Sequence, residues 1–203
     1  NENTGFVGEN GNGKSTFLDL ISGLLDPSSG KILVNSKNLL DDKNKALLHL
    51  NISYIPQNPF IIHGTIKDNI ILGDEKVDIP HLKECLFLAD LNHFINKKSK
   101  GLRYSVGLNG NKLSGGEQQK IALARAMYRK PKIIILDEAT SAIDEMSLSK
   151  IIKNLKAVNL KTKFIIVAHT KKMLEMCNKV YEIKNKTIIE KKNFLKRNKK
   201  FII

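Results

Sequence analysis

One short stretch constrains this chain more than any other. Gly8-Glu9-Asn10-Gly11-Asn12-Gly13-Lys14-Ser15 fits the pattern G-x-x-x-x-G-K-[ST], and Thr16 follows it. Residues 4–8 read as the end of a strand. The residues after the motif carry an apolar stripe of Phe17, Leu18, Leu20, Ile21 and Leu24 at helical spacing. A Gly-rich turn between a strand and a helix lets backbone N–H groups face inward, and the helix N-terminus adds the positive end of its dipole. Together these make a cradle for phosphate oxygens, with Lys14 reaching the terminal phosphates of a nucleotide and Ser15 offering a hydroxyl to Mg2+. The plain alternative is a Gly-rich turn that holds nothing; three glycines followed by Lys-Ser in this context are too specific for it.

A strand feeding such a cradle implies further buried strands beside it, and the sequence supplies them. Ile133-Ile134-Ile135-Leu136 is a continuous apolar run, as expected for a parallel strand covered on both faces. It ends in Asp137-Glu138, two carboxylates suited to a metal ion and to a general base respectively. Residues 164–168 read as a second buried strand, ending at His169. Residues 30–34 and 52–55 read as strands, the latter stopping before Pro56. Helices are expected over 45–50, about 144–158 and 171–176, and a final hairpin over 180–183 and 187–189 with Asn185 near its turn. Between about 58 and 130 the apolar spacing is helical. Ser114 stands where an N-cap belongs, with Glu117 three residues on, as in a capping box, before a helix carrying Ile121, Leu123, Ala124 and Met127. The alternation predicts an α/β core with a parallel sheet, over 1–57 and 131–203, and a mostly helical insert over 58–130.

Composition narrows the classes of function. Of 203 residues, 41% are apolar and 27% charged, a soluble globular balance. No apolar run approaches the ~18 residues needed to span a bilayer, and the first residues lack the features of a secretory signal. The two cysteines, Cys85 and Cys177, have no metal-ligand spacing and are expected to be buried thiols in a reducing compartment. The net charge of +14 comes mainly from scattered lysines, dense only in the tail from Lys191 onward. There is no Trp, and no aromatic residues alternate with the basic ones as stacking platforms, so no nucleic-acid partner is expected.

Leu113-Ser114-Gly115-Gly116-Glu117, continuing through Gln118-Gln119-Lys120-Ile121-Ala122-Leu123-Ala124-Arg125-Ala126, resembles the signature sequence of ABC ATPases. The resemblance covers essentially the whole chain and implies a P-loop NTPase (RecA-like) core with a helical signature subdomain. It implies ATP and Mg2+ as ligands, with residues 8–16 as the ATP cradle and Ser15, Gln57 and Asp137 around the metal. Gln57, after Tyr54-Ile55-Pro56, matches the Q-loop glutamine. Glu138 matches the catalytic base and His169 the switch histidine. Ser114, Gly115 and Gly116 would contact ATP held by a second subunit, and Asp144, in Ser141-Ala142-Ile143-Asp144, would lie at the dimer interface.

Gln57-Asn58-Pro59-Phe60 and Gly64-Thr65-Ile66-Lys67-Asp68-Asn69-Ile70 look like ABC exporters of the lipid- and polysaccharide-flippase kind. Residues 17–25 are similar to bacterial lipid-linked oligosaccharide flippases. The resemblance thus implies a homodimer on the cytoplasmic face of the plasma membrane, driven by ATP and joined to a transmembrane domain of the same polypeptide. An importer subunit and a soluble, non-transport ABC protein are the alternatives. Members of this kind begin with two antiparallel strands and an adenine-stacking aromatic residue ahead of the P-loop. These are missing here, so the chain is expected to be part of a longer protein. Leu108 stands where exporters carry an acidic residue, Glu117 replaces the commoner Gln, and Thr170 replaces Arg.

Overall fold

The chain opens on β1 (Thr4–Val7) and turns into α1 (Lys14–Ser22), then forms a ribbon of β2 (Leu33–Val34) and β3 (Lys37–Asn38). Helix α2 (Asp42–Asn51) leads to β4 (Ile52–Ile55). Four helices follow, α3 (Ile66–Ile71), α4 (Ile79–Leu88), α5 (Asn92–Asn96) and α6 (Gly115–Tyr128). The chain then alternates through β5 (Ile133–Asp137), α7 (Glu145–Ala157), β6 (Lys163–Val167) and α8 (Lys171–Leu174). It closes with the hairpin of β7 (Lys179–Lys184) and β8 (Thr187–Glu190). This computed structural model describes residues 2–74, 76–158, 161–168, 170–191 and 194. His169 and nearly all of the basic tail lie outside the described residues.

The main sheet has the order β4-β5-β6-β1-β7-β8, parallel except for β8. Strand β5 shows why its sequence is apolar throughout. Ile134 and Leu136 point into the larger core with Ile121, Ile151 and Phe164. Ile135 points the other way, to Phe6, Leu18, Val167 and Ile183. Both faces are covered, so no position can be polar until the strand ends at Asp137.

One expected strand is corrected. Residues 30–34 do not extend the main sheet; only Leu33–Val34 is strand, paired antiparallel with Lys37–Asn38. Gly30 takes a left-handed backbone, and so do Asn35 and Ser36, which fold the chain into a tight hairpin instead. Asn185 and Lys186 use the same device between β7 and β8.

The helical segment of residues 58–130 is held together by polar groups as well as packing. Asn69 is fully buried and bonds both the N–H and the carbonyl of Ile62 and the carbonyl of Thr65. Arg125 of α6 donates to the carbonyls of Asn69 and Phe60, each at 2.6 Å, and to Asn69 Oδ1 at 3.0 Å. This anchors the stretch after β4 onto α6. Thr65 with Asp68 and Ser114 with Glu117 form reciprocal capping boxes that start α3 and α6. Both cysteines are buried, and burial pushes their thiols up to about 12. Among the described residues no helix is long and apolar enough to cross a membrane.

Ile134 is fully buried on β5, an interior strand of this sheet. Ile134→Ala is expected to destabilise the chain by about 2–5 kcal/mol in urea titration. Leu50→Ala, at a side chain 74% exposed, is expected to stay within about 0.5 kcal/mol. Equal effects would contradict the core assignment.

Candidate functional site

The C-terminal ends of β1, β4 and β5 open on one side of the sheet into a polar cavity of about 440 Å³. Clefts at the carboxyl ends of parallel strands are where α/β sheets bind ligands. The turn after β1 supplies Asn10, Gly11, Gly13, Lys14, Ser15 and Thr16. The ends of β4 and β5 supply Gln57, Asp137 and Glu138.

Two glycines make the turn possible. At Gly8 a side chain would meet the carbonyl oxygen of Ile183 on β7 at 2.5 Å, so only glycine lets the strands run this close. Gly13 has a left-handed backbone (φ 84°) at the N-cap of α1. It offers no side chain to cap the helix, and the first turn holds no acidic residue. First-turn N–H groups have no intrahelical acceptor, so the start of α1 favours an anion. Gly8 and Glu9 also act through their carbonyls, which accept from Lys14 Nζ at 3.1 and 3.2 Å. Asn12 donates its backbone N–H to Glu9 and does not line the cavity.

Lys14 is nearly buried, with Nζ 3.7 Å from Glu138 Oε1. Glu138 itself has a left-handed backbone (φ 52°), and its N–H donates to the carbonyl of Val167 on β6. A non-glycine residue in that conformation is strained, and such strain clusters where a side chain must be aimed. Asp137, 7% exposed, accepts a 3.0 Å hydrogen bond from the hydroxyl of Tyr54 on β4. Burial and the Asp137 carboxylate push the Tyr54 phenol well above its ordinary value. The hydroxyl of Ser15, the carboxylate of Asp137 and the amide oxygen of Gln57 are all hard oxygen donors in one cavity. A single carboxylate with a few oxygens suits Mg2+ bound alongside phosphate, and not a softer metal.

Ser114, Gly115 and Gly116 are not brought to this cavity. Ser114 caps α6, its Oγ accepting from Glu117 N and its N–H donating to Glu117 Oε2, and Ser114 and Gly115 are exposed. Behind them, a side chain at Gly116 would meet the Ala142 carbonyl at 2.7 Å, so the start of α6 lies backbone-to-backbone on Ala142 and Ile143. Asp144 caps α7, and its bonds from the Ser147 backbone and side chain hold its carboxyl below the usual range. Two residues that join these parts, Tyr54 and Gln119, stand within the motif stretches but receive no role from them. Tyr54 lies three residues before Gln57, and Gln119 sits on the apolar stripe of α6 with Ala122, Leu123 and Ala126. A glutamine on such a stripe is the signal that could have found the second.

Comparison with known proteins gives this geometry a family. Residues 1–141 match the family model described as ABC transporter. The chain belongs to the ABC transporter family, and within it is an ATPase domain. It is 38% identical over 180 residues to an export ATP-binding/permease protein of Rickettsia felis. It is 37% identical over 191 residues to the lactococcin transport/processing ATP-binding protein LcnC-like of Lactococcus lactis. Those matches take in 88% and 94% of this chain but 31% and 26% of the relatives. A bacterial Atm1-family ABC exporter solved with ATP bound superposes with a TM-score of 0.86 at 28% identity, over 93% of this chain and 33% of the other. The chain therefore spans a third or less of the proteins it matches.

Folding holds the Tyr54 proton in place, whereas in the unfolded chain it leaves near pH 10. Stability from this phenol is present below that pH and is lost as pH rises above it. Tyr54→Phe is expected to lose less stability than the wild type between about pH 9.5 and 11 in urea titrations at stepped pH. Parallel decline of the two proteins would contradict the buried phenol–carboxylate contact.

Proposed function

We propose that this chain binds and hydrolyses MgATP to drive export by the longer protein of which it forms part. One observation supports this above the others: Lys14, Gln57, Asp137 and Glu138, from three separate strand ends, meet at one cavity of about 440 Å³ over a helix N-terminus. Residues 8–16 form the phosphate cradle. Lys14 sets its charge against the terminal phosphates. Ser15, Gln57 and Asp137 hold Mg2+, which supplies charge neutralisation to the phosphates when bound. Glu138 takes the proton of the attacking water as general base. His169 is proposed to contact the γ-phosphate.

Ser114 and Gly115 lie exposed and Gly116 half-buried, all three away from the cavity of their own chain. The backbone N–H groups of Gly115 and Gly116 open the first turn of α6, where a helix favours an anion, beside the Ser114–Glu117 capping box. We assign this helix start to the γ-phosphate of ATP held by a second copy, with Asp144 at the interface. The proposed assembly is a homodimer with two equivalent sites on the cytoplasmic face of the plasma membrane. It would sit beneath a transmembrane domain of the same polypeptide, with residues 58–130 as a subdomain facing it. Two of the relatives above combine or name export and transport functions in their own descriptions, which favours an exporter over an importer subunit.

In the full-length protein, Glu138→Gln is expected to keep ATP binding and lose turnover by about 10²–10⁴-fold. Lys14→Ala is expected to reduce turnover to background. Steady-state phosphate release and fluorescent-nucleotide binding check both. Near-normal turnover in either variant would refute the assigned roles.

A further inference from the structure

The side chain of Gln119 is only 3% exposed and satisfies groups on two different loops at once. Its Nε2 donates to the backbone carbonyl of Gln57 at 3.0 Å and to Ser141 Oγ at 3.3 Å. Its Oε1 accepts the N–H of Ala142 at 2.9 Å. A second, independent contact joins two of these pieces: the start of α6 at Gly115 and Gly116 lies directly on Ala142. One buried amide thus joins the α6 helix, the residue whose side chain enters the cavity after β4, and the turn that follows Glu138.

We propose that Gln119 is a positioning residue for ATP hydrolysis. It locks Gln57, the 141–144 turn and the exposed start of α6 into one unit, so that these elements move together when nucleotide engages Gln57. This rests on the reading of the chain as an ATPase. An amide suits the position because it offers donors and an acceptor together: Gln57 presents a carbonyl and Ala142 an N–H. An apolar side chain of the same length would leave both backbone groups buried without that partner. Gln119 is absent from the cavity lining, so its loss removes no group that could touch ATP or the metal.

The test uses Gln119→Met, which keeps the length, and Gln119→Asn, which keeps the amide but is too short to span both loops. Each is made in the full-length protein, alone and combined with Gln57→Ala, with wild type and Lys14→Ala measured alongside. Both single variants are expected to lower kcat by at least about tenfold with KM for ATP within about threefold, because the phosphate cradle is intact. Combined with Gln57→Ala, the loss is expected to be clearly smaller than the product of the single losses, since Gln119 acts largely through Gln57. Multiplicative losses, or kcat and KM worsening together with the melting temperature, would mean Gln119 only stabilises the fold and would overturn the proposal. So would wild-type kcat in both variants. If the wild type itself releases no phosphate above the Lys14→Ala background, the ATPase reading fails and this inference with it.

Discussion

The site depends on one strand that contributes none of its described residues to the cavity. Strand β6 lies between β1 and β5, and its Val167 pairs with Phe6 on one side and Asp137 on the other. That shared register brings β1 and β5 to their ends at the same height. The turn after β1 then delivers Lys14, and the turn after β5 delivers Glu138, within 3.7 Å of each other. A shift of one residue on β6 would send the side chains of Val167 and its neighbours to the opposite face and separate the two ends. The N–H of Glu138, bonded to the Val167 carbonyl, fixes the point where the chain leaves the sheet.

From that point outward the site is assembled by polar contacts that bridge distant parts of the chain. Tyr54 reaches from β4 to Asp137, and Gln119 reaches from α6 to the segments after β4 and β5. Arg125 and Asn69 anchor the stretch after Gln57 to the same helix. Each bridge is buried or half-buried, where leaving a partner unpaired costs about 1–3 kcal/mol. Such contacts therefore specify one arrangement of the loops more sharply than apolar packing alone. Helix α6 is the common element. It caps itself at Ser114, packs its apolar face into the larger core, and carries the side chains that hold the loop after β4.

Much of this was legible in the sequence because the determinants are local. The cradle is a turn whose glycines serve backbone geometry at Gly8 and Gly13, and the capping box at Ser114 and Glu117 spans three residues. The unbroken apolar run of residues 133–136 reports cover on both faces of β5. What the sequence did not disclose depends on contacts far apart along the chain. Nothing near Tyr54 reveals that Asp137, 83 positions away, accepts a hydrogen bond from its hydroxyl, nor near Gln119 that Gln57 lies behind it. The expected strand over residues 30–34 shrank to two residues because left-handed turns at Gly30, Asn35 and Ser36 folded it onto its neighbour, a preference that apolar patterning does not record.

We propose that ATP is hydrolysed where the strand ends of one copy would meet the exposed start of α6 in another. Dimers of the full-length protein carrying Ser114→Arg on one subunit and Glu138→Gln on the other, isolated through two different affinity tags, measure this directly. In such a dimer one site combines both defects, while the opposite site pairs an intact cradle and base with an intact Ser114. The account predicts ATP turnover in the mixed dimer that neither variant shows as a uniform dimer. A mixed dimer as inactive as its parents, or a fully active Ser114→Arg dimer, would contradict it.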